Sequence, residues 1–143
     1  MNQSAMDLYT LHNDVKVFGS KVNTFPVGIK EAFDELVKVL PPEDKRFYYG
    51  ISECTKEGIV YIAATAETFE GEGAKYGFEN FTIQQGEYLA VTVFDWLAKT
   101  HCIKDVFEEM FKDVRADRSK PCIEIYKNDD EMVCMVKTIE TKD

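Results

Sequence analysis

Shifted by 74 positions, the chain falls back on itself. Ile29-Lys30-Glu31-Ala32-Phe33-Asp34-Glu35-Leu36-Val37-Lys38 aligns with Ile103-Lys104-Asp105-Val106-Phe107-Glu108-Glu109-Met110-Phe111-Lys112, and five of the ten positions are identical. At the same offset, without a gap, Tyr49-Gly50-Ile51-Ser52 lies on Ile123-Glu124-Ile125-Tyr126, and Gly58-Ile59-Val60-Tyr61-Ile62 on Met132-Val133-Cys134-Met135-Val136. Two amphipathic helices often agree by chance, but agreement that runs on through the following strands points to a repeat. The pattern predicts one domain made of two copies of a strand-helix-strand-strand unit: repeat 1 over about 14–69, a linker over about 70–77 and repeat 2 over about 78–140.

Each copy parses alike. Ile29, Ala32, Phe33, Leu36, Val37 and Leu40 recur at helical spacing, and Pro41-Pro42 stops the helix. The second stripe runs Ile103, Val106, Phe107, Met110, Phe111, Val114. Runs rich in β-branched and aromatic residues predict strands over 15–22, 46–54, 59–68, 80–83, 88–94, 121–127 and 132–139. Thr55-Lys56-Glu57-Gly58 and Asn128-Asp129-Asp130-Glu131 suit hairpins, and Glu70-Gly71-Glu72-Gly73-Ala74 reads as a flexible linker. The expected class is α+β: one antiparallel sheet with the two main helices on one face and a ligand groove where the copies meet.

Composition narrows the function. A net charge of -9, with the basic residues scattered among acidic ones, gives no phosphate-tracking stripe, so direct contact with nucleic acid is not expected. The four cysteines, Cys54, Cys102, Cys122 and Cys134, lack the paired short spacings of a zinc site, and only His12 and His101 could join them. No metal or cofactor is expected, and the cysteines read as small buried residues in a reducing compartment. Neither a secretory leader nor a span long enough for a bilayer is read, which makes the cytoplasm the expected location and excludes a membrane partner.

Strand alternation assigns sides. Phe47, Tyr49 and Ile51 share one side with the corresponding Pro121, Ile123 and Ile125, and this apolar set is expected to meet the helices. Tyr48, Glu124 and Tyr126 then fall on the face without helices, with Tyr61, Met135, Phe94 and Trp96 as neighbours. A carboxylate in a central strand is costly to desolvate unless it is paired. Glu124 is either a solvated residue with a cross-strand Lys or Arg partner, or the floor of an aromatic cleft that selects cations and hydrogen-bond donors. The second reading leads. Trp96 and Tyr61 also read as core residues.

Several segments, in their order and spacing, carry a resemblance over nearly the whole chain: Thr24-Phe25-Pro26 before the Ile29 helix, Tyr49-Gly50-Ile51-Ser52, Tyr61-Ile62-Ala63, Phe81-Thr82-Ile83-Gln84-Gln85-Gly86-Glu87-Tyr88, and Ile123-Glu124-Ile125-Tyr126. Together they resemble the GyrI-like small-molecule-binding superfamily, which includes the effector-binding domains of AraC-type and MerR-type multidrug regulators. The resemblance implies that Glu124 is the acidic residue, and Tyr126 the aromatic, of a site for hydrophobic, often cationic, compounds. No helix-turn-helix is read before Val15 or after Ile139, so a regulator acting alone is disfavoured. The leading expectation is a stand-alone ligand-binding module rather than an enzyme, with Glu124, Tyr126, Tyr48, Tyr61, Phe94 and Trp96 at the ligand. Two alternatives stand beside it: a hydrolase of electrophilic compounds with Glu124 as general base, and a module that inhibits a protein partner through its acidic surface.

Overall fold

The computed structural model describes residues 6–24, 27–41 and 46–139; the expectations for Met1 to Ala5, Phe25-Pro26 and Pro42 concern residues outside this set. Eight strands, β1 (Asp7–Leu11), β2 (Val15–Val22), β3 (Tyr48–Thr55), β4 (Gly58–Ala66), β5 (Glu79–Ile83), β6 (Gly86–Phe94), β7 (Cys122–Tyr126) and β8 (Glu131–Lys137), form one antiparallel sheet. Their order is β1-β6-β8-β7-β3-β4-β2-β5. Three helices accompany them: α1 (Ile29–Val39), α2 (Glu72–Lys75) and α3 (Ile103–Met110), the last entered through a 3-10 segment over Trp96–Cys102. The fold is α+β.

Two short connections force this sheet to curl. Strands β5 and β6 follow each other through Gln84-Gln85, yet they stand last and second in the sheet. Six strand spacings in a flat sheet come to roughly 29 Å. The three Cα steps from Ile83 to Gly86 span at most about 11 Å. Strands β1 and β2, first and seventh, are likewise joined only through His12-Asn13-Asp14. The sheet therefore bends until its edges approach. The β5–β6 connection is fixed by the Tyr88 hydroxyl donating to the Gln84 carbonyl and by the Gln85 amide donating to Asp14 Oδ1 at 2.8 Å.

Curling gives the sheet an inner and an outer face, both apolar. The inner face gathers Val17, Tyr49, Ile51, Ile62, Ile83, Tyr88, Ile123, Val133 and Met135 from strands across the whole sheet. Both main helices pack on the other face. Helix α1 covers Phe18, Val22, Tyr61 and Ala63, and α3 sets Ile103, Val106, Phe107 and Met110 against Leu89, Val91, Met132, Cys134 and Val136. The expected location of the helices on one face holds, but the side was inverted: Tyr49, Ile51, Ile123 and Ile125 line the inner face, away from the helices. Alternation identifies which residues share a side; it does not say which side the helices take when both are apolar.

Other local differences have physical causes. Strand β1, an edge strand with mostly exposed side chains, carries no apolar alternation that would announce it. Helix α3 ends at Met110, so Val114 falls beyond it and is 89% exposed, and Val37 turns outward on α1. The expected flexible linker is instead ordered around a buried ion pair. Arg46 Nη1 donates to Glu72 Oε1 at 2.7 Å, and the Thr68 amide and hydroxyl donate to the same oxygen at 2.8 and 3.0 Å. Both side chains of the ion pair are almost fully covered.

Burial alone would raise the Glu72 pKa, but the bonds from Arg46 and Thr68 outweigh it and hold the carboxyl below its ordinary 4.5. A folded pKa below the unfolded one gives stability that is present above about pH 4.5 and lost as pH falls through the folded value. Glu72→Gln is expected to cost about 3 kcal/mol in urea unfolding at pH 7, because it removes the charge of one member of a buried ion pair. The gap between variant and wild type should close as the pH is taken below 4.5.

Candidate functional site

Strands β3 and β7 meet at the centre of the sheet, between the areas covered by α1 and α3. Their register pairs Gly50 with Glu124 and Tyr48 with Tyr126, and Glu124 in turn pairs with Cys134 of β8. Glu124 points to the helix-bearing face and is 9% exposed. Its Oε1 accepts two phenol hydrogen bonds, from Tyr61 at 2.7 Å and from Tyr126 at 2.6 Å. Its Oε2 has no hydrogen-bond partner among the described residues.

Glycine at position 50 makes this arrangement possible. Tyr61 stands on β4, one strand beyond β3, and its hydroxyl must cross β3 to reach Glu124. A Cβ at Gly50 would fall 2.0 Å from Tyr61 Oη and 2.4 Å from Glu124 Oε1. A glycine inside a strand commonly marks such a close approach.

Aromatic rings close over the acid. Phe33 of α1 meets Tyr48, Tyr61 and Tyr126 edge-on, at centroid distances of 6.3, 6.4 and 5.9 Å. Trp96 lies 4.7 Å from Tyr126, its indole N–H donating to the Asn128 carbonyl at 2.7 Å. These are favourable ring geometries, each worth about 1 kcal/mol beyond buried area. Asp95, in the left-handed region at φ 56°, turns the chain immediately before Trp96.

Five of the six expected site residues therefore converge: Glu124, Tyr126, Tyr48, Tyr61 and Trp96. Phe94 does not. It shares the alternation of Ala90 on the inner face and is 45% exposed, and Met135 is likewise an inner-face residue. The pairing overturns the picture of a solvated Glu124 with a cross-strand cation, since its strand neighbours are Gly50 and Cys134 and its partners are phenols. Phe33 was read only as part of a helix stripe, although it is the ring that touches three of the site tyrosines.

With no cation beside Glu124 among the described residues, burial governs the electrostatics. Desolvation raises the Glu124 pKa above the usual carboxylate range, and the bonds from Tyr126 and Tyr61 only partly oppose it. Desolvation and the nearby carboxylate push both phenols far up, so they remain donors. Burial, with smaller contributions from Cys54 and Glu124, pushes the Cys122 thiol up to about 12, and Cys134 rises further. Neither is a ready nucleophile at neutral pH. Contrary to the expectation of four buried cysteines, Cys54 is exposed, and all four are free thiols. Among the described residues no cluster of three His, Cys, Asp or Glu side chains gathers as a metal site, and no helix is long and apolar enough to cross a membrane.

Gly50→Ala should break the Tyr61–Glu124 contact and cost about 1–3 kcal/mol in denaturant unfolding. A folded pKa above the unfolded one gives stability that is complete below the unfolded value and lost as pH rises through the folded one. Glu124→Gln removes that loss. Its stability relative to wild type should rise as the pH is taken above 4.5, opposite in sign to Glu72→Gln.

No protein-family model matches the sequence, and no curated relative is found for it. Solved structures share its fold at low identity. An integron cassette protein from the mobile metagenome of Vibrio cholerae superposes with TM-score 0.70 at 14% identity, covering 97% of this chain and 100% of that one. A protein bound to tetraphenylphosphonium does so at 0.66 and 12%, covering 96% and 94%. A candidate transcription regulation protein of Staphylococcus aureus gives 0.61 and 13%, covering 93% and 98%, and a hydrolase from Listeria innocua gives 0.58 and 8%, covering 94% and 91%. The likeness is one of fold.

Proposed function

We propose that this chain is a small-molecule-binding module whose ligand is an apolar cation received at Glu124. The observation that carries the reading is an acid nine-tenths buried, with two phenols on one oxygen, no cation beside it and the other oxygen unpartnered among the described residues. A buried carboxylate of this kind is costly on its own and is compensated when a positive charge arrives. The rings of Phe33, Tyr126 and Trp96 supply the faces that an apolar cation prefers. Helix α1 buries only Leu36 completely, and Phe33 itself is only partly buried, so this helix is the least firmly held cover of the acid.

Two further lines support the reading. The resemblance to the GyrI-like superfamily implies an acid at Glu124 and an aromatic at Tyr126, and one protein of the same fold was solved with a lipophilic phosphonium cation bound. The strand order also runs β6-β8-β7 in one half and β2-β4-β3 in the other, which supports a duplicated origin with Glu124 at the seam.

Hydrolysis of an electrophilic compound is the second reading, favoured by the raised proton affinity of Glu124, which would make its ionised form a stronger general base. The two are separated by one set of measurements. Tetraphenylphosphonium at ten times its Kd should raise the melting temperature by about 3–6 °C. Glu124→Gln should remove most of that shift, and Phe33→Ala should weaken binding while sparing the fold. An unchanged melting temperature across a panel of lipophilic cations contradicts the binding reading. Glu124-dependent turnover of an electrophilic ester or epoxide without cation binding would establish the hydrolytic one.

A further inference from the structure

The inner face of the curled sheet holds a second opening, on the opposite side of the sheet from Glu124. A cavity of about 620 Å³ lies between edge strand β1 and the floor of the curl, within the usual range for drug-sized ligands. Ile83, Val133 and Met135 line it beside Tyr49, and Tyr9 and Lys127 line it as well. The Tyr49 side chain is 7% exposed, yet its hydroxyl has no hydrogen-bond partner among the described residues. Among the described residues the fully buried side-chain atom without a partner is Arg46 Nε, so the Tyr49 hydroxyl keeps some access, and an acceptor atom of a ligand in the cavity that Tyr49 lines can take its hydrogen.

We infer that this inner cavity is a second binding site, for an uncharged apolar compound carrying one carbonyl-type acceptor that takes the Tyr49 hydroxyl hydrogen. Charge in the lining favours no ion. Asp7 and Lys127, of opposite sign, both line the cavity. The phenol is a donor at any ordinary pH, because burial and then the neighbouring Tyr9 raise its pKa. The strands between the two sites present alternate residues to each: Tyr48 and Gly50 outward to Glu124, Tyr49 inward to the cavity. The two sites are therefore separate, and neither reading depends on the other.

Nile red, neutral and bearing a ring carbonyl, is the probe. Its fluorescence should rise saturably at one equivalent of protein, and excess tetraphenylphosphonium should not displace it. Tyr49→Phe, which keeps the ring and removes the donor, should weaken the dye about 3- to 10-fold. Thr92→Trp should fill the cavity and abolish binding, while Glu124→Gln should leave it unchanged. If Thr92→Trp does not fold, Tyr49→Phe decides alone. No saturable enhancement, displacement by tetraphenylphosphonium, or an unchanged affinity in Tyr49→Phe overturns the inference.

Discussion

A buried carboxylate with no cation beside it among the described residues is the constraint on which the rest of this molecule depends. Glu124 keeps its place because Tyr61 and Tyr126 donate to one of its oxygens, and Tyr61 reaches it only across the bare backbone of Gly50. Four strands are tied into that arrangement: β3 by its glycine, β4 by Tyr61, β7 by the acid and Tyr126, and β8 by the Cys134 that flanks it. Phe33 and the Trp96 turn then bring α1 and the 3-10 segment onto the same spot. Two hydrogen bonds do not offset the full cost of desolvating a carboxylate, and the residual cost is what a bound cation can relieve.

The sheet's curvature divides the molecule's two apolar surfaces between two tasks. Connections of two and three residues bring distant strands together, so the inner face closes on itself and the outer face must be covered by helices. The inner packing is incomplete where β1 stands off from the floor. The outer packing is incomplete where α1 and α3 leave β3 and β7 between them, and aromatic side chains fill that interval.

Much of this was legible in the residues, and the failures have definite causes. The helix stripes, the two hairpins and seven strands could be read from periodicity, because each has an apolar spacing or a turn sequence of its own. The convergence of Glu124 with Tyr48, Tyr61 and Tyr126 followed from strand register. Which face carries the helices was not legible: six of the seven residues of β8, from Met132 to Lys137, are buried, so its alternation has no polar side to read. Phe94 was misplaced for the same reason. The ordered Glu70–Ala74 stretch looked like a linker because the partner that orders it, Arg46, is 26 residues away in sequence. Fold likeness adds little about chemistry, since the same architecture occurs in a phosphonium-bound protein and in a hydrolase.

The central claim is that Glu124 is a desolvated acid waiting for a positive charge. Carbon-13 NMR titration of its side-chain carboxyl, without and with tetraphenylphosphonium, reads this directly. The account predicts a midpoint above the ordinary carboxylate value in the free protein, higher still in Tyr61→Phe, and lowered when the cation is bound. An ordinary midpoint that neither Tyr61→Phe nor the cation moves would contradict it.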